Sequence, residues 1–201
     1  MRLKFLGDSF DIVKQSLLRW LGGLGPWVAH PMFTEAVTGT EARDFARLLG
    51  VPLLSSEVLR ADTERARYFA PARACASHLF LDPDTGLSLK KIEASRVSGY
   101  VLVDELVSIV GARPEWLTLV FDQSVARGKE REQLEEKLSV LATHHVHAWA
   151  YVSHACFILA GSDRRVLESA AKVVQVDSGL PADRFVYGGA AEQGDEADEA
   201  R

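Results

Sequence analysis

Two apolar runs near the end of the chain, residues 148–152 and 155–159, are joined through Val152-Ser153-His154. A link that short leaves no room for a crossover helix, so the two runs are expected to pair as an antiparallel hairpin. The stretch before them alternates in another way. SHLFLD (77–82) reads as a short strand, VLVDELVSIVG (101–111) as a helix, LTLVFDQS (117–124) as a buried strand, and KEREQLEEKLSVLATH (129–144) as an amphipathic helix with Leu134, Leu138 and Leu141 at helical spacing. Strand and helix in turn imply parallel strands with crossovers. The expected fold is therefore α/β and Rossmann-like, a mostly parallel sheet closed by an antiparallel C-terminal hairpin, with RRVLESAAKVVQ (164–175) as a last helix.

The first half is read on the same grounds. A strand LKFL (3–6) ends at Gly7, and Asp8 caps a helix over IVKQSLLRWL (12–21) that Gly22, Gly23 and Gly25 stop. PWVAHPMF (26–33) reads as a short strand and ARDFARLLG (42–50) as a helix closing on Gly50. VPLLS (51–55) reads as another strand or an extended entry to SEVLRADTERARYFA (56–70), which is expected to be helical.

With 201 residues, 47% hydrophobic and 25% charged, the composition is that of a globular protein and excludes collagen, coiled coil and disulfide scaffold. Residues 1–187 are expected to form one α/β domain and 188–201 an acidic, disordered tail. Most of the net charge of −5 comes from that tail. Without it 22 basic side chains face 23 acidic ones, so no global basic field recruits nucleic acid. Apolar runs stop far short of the ~20 residues that span a bilayer. The N-terminus lacks the features of a signal peptide, so a cytoplasmic location with no membrane partner is expected. Cys75 and Cys156 have no partner spacing for a zinc ribbon or a disulfide framework.

In open α/β sheets ligands bind outside the carboxyl ends of the strands. Three presumed strand ends lead straight into acids: Asp8 and Asp11 after LKFL, Asp82 and Asp84 after HLFL, and Asp122 after LVF. The first motif is Gly7-Asp8-Ser9-Phe10-Asp11-Ile12-Val13-Lys14. Capping accounts for Asp8, and the helix dipole favours Asp11, but neither requires Gly7 or Lys14. The functional reading turns Lys14 toward the carboxyl edge to meet a carboxylate or a phosphate. The second motif, Phe80-Leu81-Asp82-Pro83-Asp84-Thr85-Gly86-Leu87, needs only its proline and glycine to make a turn, which leaves two acids to explain.

Together with Tyr100 to Leu106, these motifs resemble uncharacterised bacterial proteins with G-D-x-x-D-x-x-K and F-L-D-P-D-x-G-L signatures. Those are in turn similar to class I S-adenosylmethionine methyltransferases of the 23S ribosomal RNA adenine-N6 and three-Cys-motif partner type. The resemblance implies a methyltransferase-like protein acting on nucleic acid or a small molecule, with S-adenosylmethionine as cofactor. It places Gly7, Asp8, Asp11 and Lys14 at the cofactor and makes Asp82 and Asp84 the catalytic pair, Asp82 accepting a hydrogen bond from the amine to be methylated. Asp84 and Thr85 stand where that family has proline and an aromatic residue, and PWVAHPMFT stands where its G-x-G loop would follow the first strand.

Two other readings use the same residues. Asp8, Asp11, Asp82 and Asp84, with Asp122, would hold Mg²⁺ in a nuclease or phosphohydrolase, with Lys14, Lys90 or Lys91 on a phosphate. Lys90, Lys91 and Arg96, and Arg127, Lys129 and Arg131, would then edge that site. Alternatively, the chain is a non-catalytic Rossmann-like partner protein.

Overall fold

The computed structural model describes residues 6–188. The expected strand LKFL falls outside them except for Leu6, which is in a turn, and the acidic tail falls outside except for Gly188. In chain order the elements are α1 (Ser9–Leu21), β1 (Trp27–His30), α2 (Gly39–Leu49), α3 (Arg65–Tyr68), α4 (Ala70–Ala74), β2 (His78–Leu81), β3 (Gly86–Ser88), β4 (Tyr100–Leu102), α5 (Val103–Gly111), β5 (Thr118–Asp122), α6 (Glu130–Thr143), β6 (His147–Val152), β7 (Cys156–Gly161), α7 (Arg164–Ser178) and β8 (Phe185–Tyr187).

Six strands form one mixed sheet in the order β1-β2-β5-β7-β6-β8, and β3 and β4 form a separate parallel pair. β1, β2 and β5 are parallel neighbours. β7 runs antiparallel between β5 and β6, so β6 points the same way as β5 and four of the six strands share one direction. The hairpin expected from the Val152-Ser153-His154 link is present, with Ala148 opposite Ala160 and Val152 opposite Cys156.

The sheet is covered on both faces, as its apolar strands require. Leu17, Leu18 and Leu21 of α1 join Phe45, Leu49, Leu167 and Val174 over one face. Tyr68, Ala72, Leu106, Ile109, Leu134, Leu138 and Leu141 pack over the other. Polar segments at both ends of the sheet are thereby pinned in place.

Two helices need correction, and the segment at 51–55 enters as a single bridge. The helix over residues 56–70 does not begin until Arg65, because the Leu59 N–H bonds the Phe33 carbonyl at 2.7 Å and buries the Leu59 side chain, a tertiary demand that overrides local propensity. Residues 51–55 contribute only a bridge at Leu53, held by Ala29 N–H to Pro52 O at 2.8 Å and Leu54 N–H to Ala29 O at 2.7 Å. The helix over 101–111 starts at Val103, since Val101 and Leu102 extend to pair with Leu87 and Ser88. The sequence reading also has no counterpart for β8, which adds to the sheet beside β6. No helix among the described residues is long and apolar enough to cross a membrane.

Candidate functional site

The carboxyl end of β2 runs directly into Asp82, and helix α1 starts beside it. Asp8 is the N-cap of α1, its Oδ1 accepting from the N–H groups of Phe10 at 2.9 Å and Asp11 at 3.1 Å. That fixes the first turn, so Asp11 and, three residues on, Lys14 face the sheet. Gly7, at φ +85, folds back so that its N–H donates to Asp11 Oδ2 at 2.9 Å. Asp11 Oδ1 and Asp82 Oδ2 both receive hydrogen bonds from Lys14 Nζ at 3.0 Å. The three residues are 1%, 0% and 3% exposed for Asp11, Asp82 and Lys14, a buried trio of two carboxylates and one ammonium.

The balance within the trio is uneven. Asp82 Oδ1 also lies 3.0 Å from the same ammonium, so both oxygens of this carboxylate face Lys14. Burial pushes the Asp82 carboxyl above the usual carboxylate range, outweighing the attraction of Lys14. Burial works against the charge of Lys14, but Asp82 and Asp11 more than offset it and raise its pKa. The ammonium also stands 4.2 Å from the centre of the Phe121 ring, a cation–π contact.

Above the trio opens a cleft of about 410 Å³, lined by Asp8, Phe10, Asp11, Lys14, Asp82, Pro83, Asp84, Thr85, Phe121 and Gln123. That is within the size range of small-molecule sites. Asp84 is tied to the loop after β1 by Thr34 Oγ1, which donates to its Oδ2 at 2.8 Å. The Thr85 N–H bonds Gly99 O and its carbonyl accepts from Gln123 N–H, both at 2.8 Å, so the Asp82-to-Thr85 loop is gripped on both sides. Phe10 stacks on His154 of the β6–β7 turn with ring centres 4.5 Å apart, and Ser9 Oγ lies 3.2 Å from His154 Nε2.

All five acid and lysine positions expected at the site, Asp8, Asp11, Lys14, Asp82 and Asp84, thus line one cleft, with Gly7 bonded to Asp11 at its edge. Asp122 does not join them. Its Oδ2 accepts from Lys137 Nζ, its Oδ1 accepts from the Ser124 hydroxyl at 2.6 Å and N–H at 2.9 Å, and Lys137 also donates to Ser124 Oγ at 2.6 Å. Every oxygen of Asp122 is satisfied, which marks this network as structural. It borders a separate cleft of about 210 Å³ that Lys90 also lines. Burial, with Asp122 alongside, pushes the neighbouring Cys156 thiol up to about 12, so that cysteine is no nucleophile.

The donor set does not fit Mg²⁺. Asp8 is committed to helix capping, Asp11 and Asp82 already share an ammonium, and no group of three His, Cys, Asp or Glu that would hold a metal converges among the described residues. Nor do Lys90, Lys91, Arg96, Arg127, Lys129 or Arg131 line the cleft, contrary to the expectation that they edge the same site.

Sequence reasoning missed Phe10, Phe121 and Thr34. Phe10 lies inside the first motif and Phe121 at a strand's carboxyl end, positions that mark both as candidates. It also missed His30, the last residue of β1, whose carbonyl accepts the Asp82 N–H at 3.1 Å. The ring of His30 is fully buried against Tyr68 and Phe69. No protein-family model matches the chain, and no match to it is found among curated proteins or solved structures.

Proposed function

We propose that this is a methyltransferase-like protein that takes up an amino group at Asp82 and methylates it. The observation that carries the reading is the buried Asp82 carboxylate, oriented by Lys14 on the floor of a ligand-sized cleft at the carboxyl end of β2. Its oxygens retain lone pairs to accept an amine N–H. The strand order supports the same reading, since β7 inserted antiparallel between β5 and β6 is the closing hairpin that the resemblance implies.

S-adenosylmethionine carries a sulfonium and an ammonium, and the rings of Phe10 and Phe121 that line the cleft offer aromatic faces to such cations. When bound, it would supply an electrophilic methyl group to the substrate nitrogen, which would give up a proton. Asp82 takes the hydrogen bond from that nitrogen and then its proton, a role that its raised proton affinity favours. Lys14 positions Asp82 and does not meet a phosphate, because the protein's own carboxylates already surround it.

Calorimetric titration with S-adenosylmethionine tests this reading. Binding should stabilise the fold by about 2.7 kcal/mol at one hundred times the dissociation constant. Methyl incorporation into an amine should be lost in Asp82→Asn. Absence of heat and of any melting shift at millimolar cofactor would overturn the reading in favour of a non-catalytic partner protein.

A further inference from the structure

We infer that Cys75 is a modification site, where the thiol forms a mixed disulfide with a small anionic disulfide of the glutathione kind that docks on Arg73 and Arg113. The site stands apart from the Asp82 cleft. The segment from Ala74 to Ser77 leads into the amino end of β2 and the segment from Ala112 to Leu117 into that of β5, so both lie at the edge of the sheet opposite Asp82. Between them is a cleft of about 330 Å³ whose polar lining is Arg73, Cys75, Arg113, Glu115 and Trp116.

Arg113 carries the argument. It is 3% exposed, yet all its partners among the described residues are neutral. Nη1 donates to the Ala72 carbonyl at 3.4 Å, Nη2 to the Leu117 carbonyl at 3.2 Å and the Thr118 hydroxyl at 3.5 Å, and Nε has no hydrogen-bond partner. These contacts lie at or beyond the long end of the usual range, and none of them cancels a charge. Burial weakens the hold of the guanidinium on its proton, and a negative Cys75 sulfur offsets part of that penalty. Arg73, half-buried on α4, adds a second cation, whose bond to the Ala66 carbonyl leaves its charge unmatched. Two arginines without a carboxylate partner, one of them in the interior, make this cleft a place where an anionic ligand is stabilised.

The sulfur is placed to react. Cys75 is half-buried, and its Sγ lies 3.0 Å from the Ser77 hydroxyl, which can donate to it once the thiol has lost its proton. The thiolate attacks one sulfur of the incoming disulfide and a new S–S bond forms. The electron pair of the old S–S bond leaves on the other sulfur, which takes up a proton. Cys75 is thereby oxidised to the mixed disulfide, and the other half of the reagent is released as a reduced thiol. Glutathione disulfide suits the charges of the cleft: its carboxylates meet Arg73 and Arg113, and an α-ammonium meets Glu115, which is exposed at the rim. Cys156 provides an internal contrast, being fully buried in β7 with its thiol pushed up to about 12.

The test treats the reduced full chain with three reagents that share one reactive bond: anionic glutathione disulfide, neutral hydroxyethyl disulfide and cationic cystamine. Intact mass and peptide mapping give the rate at each cysteine, taken relative to a free small thiol with the same reagent. Glutathione disulfide should add one group, at Cys75 and not at Cys156, with a relative rate about tenfold or more above that of cystamine at low ionic strength and the neutral reagent between them. Arg73→Gln, a change at a half-buried position, should shrink that preference severalfold while leaving the rate with the neutral reagent unchanged. Equal relative rates for the three reagents, an undiminished preference in Arg73→Gln, or a Cys75 that stays reduced throughout would each overturn the inference.

Discussion

A Cβ atom built on Gly86 would stand 2.0 Å from Asp122 Oδ1, closer than any real contact. Gly86 also has φ +139, a conformation that side-chain-bearing residues rarely adopt. Strand end β5 and the turn after Asp82 are thus packed backbone against carboxylate, and that carboxylate is locked by Lys137 and Ser124. Gly86→Ala should cost more than about 4 kcal/mol in urea unfolding, since Asp122 has no free space to retreat into. Gly128→Ala is the control. Gly128 has φ +80 but nothing within 4 Å, so it should lose only about 1–2 kcal/mol, the backbone penalty alone.

Within the buried trio the two signs should respond oppositely to removal. Asp82→Asn keeps the shape of the side chain and leaves Lys14 paired with Asp11, so unfolding free energy should stay level or rise by up to about 1 kcal/mol. Lys14→Met strands two carboxylates in the interior and should cost about 3–5 kcal/mol. Denaturant melts of both variants decide it, and a loss above about 2 kcal/mol in Asp82→Asn would make that residue a structural part of the turn.

Asp8 has a different task from the acids below it. Its carboxylate closes two N–H groups at the start of α1, so Asp8→Ala should cost about 1 kcal/mol in the same melts. Asp8→Ser, which can still cap, should recover most of that loss. A Ser variant as weak as the Ala variant would show that the charge matters and the cap does not.

His30 sets an acid limit on the fold. Burial lowers its pKa from 6.5 to about 4, so between those values the unfolded chain binds a proton that the folded chain refuses. Stability from this group is complete above pH 6.5 and falls as pH drops toward 4, by about 3 kcal/mol in all. Chemical denaturation at pH 7 and pH 4 should therefore show a steep decline in the wild type. In His30→Leu the decline should be smaller by about that amount, and equal declines in the two proteins would refute the assignment.

The parts of this structure legible in the sequence are those where one local rule suffices. Residues 148–159 could only turn back on themselves, and Asp8 caps α1 as a helix-start signal should. The gathering of Asp8, Asp11, Lys14, Asp82 and Asp84 followed from a topological rule, that strand ends on one edge share a site. What was not legible depends on partners far along the chain. Whether Leu59 sits in a helix is decided by the Phe33 carbonyl, and whether Asp122 joins the acid cluster is decided by Lys137 on the next helix. The strand-end position that put Asp122 beside the other acids carries no information about which face of the sheet its side chain takes. His30 escaped notice for a similar reason, since an apolar strand containing one histidine looks the same whether the ring is buried or wet.

Ser9 and His154, in contact beside the stack of Phe10 on the same ring, lie 145 positions apart in sequence. During synthesis α1 leaves the ribosome well before the turn that braces its first residues. The rim of the cleft is accordingly a non-local feature, closed only after the hairpin has added to β5. A nascent chain halted before residue 147 holds Asp8, Lys14 and Asp82 yet lacks the brace, so ligand capture by stalled chains of increasing length should switch on only once β6, β7 and the turn between them are released.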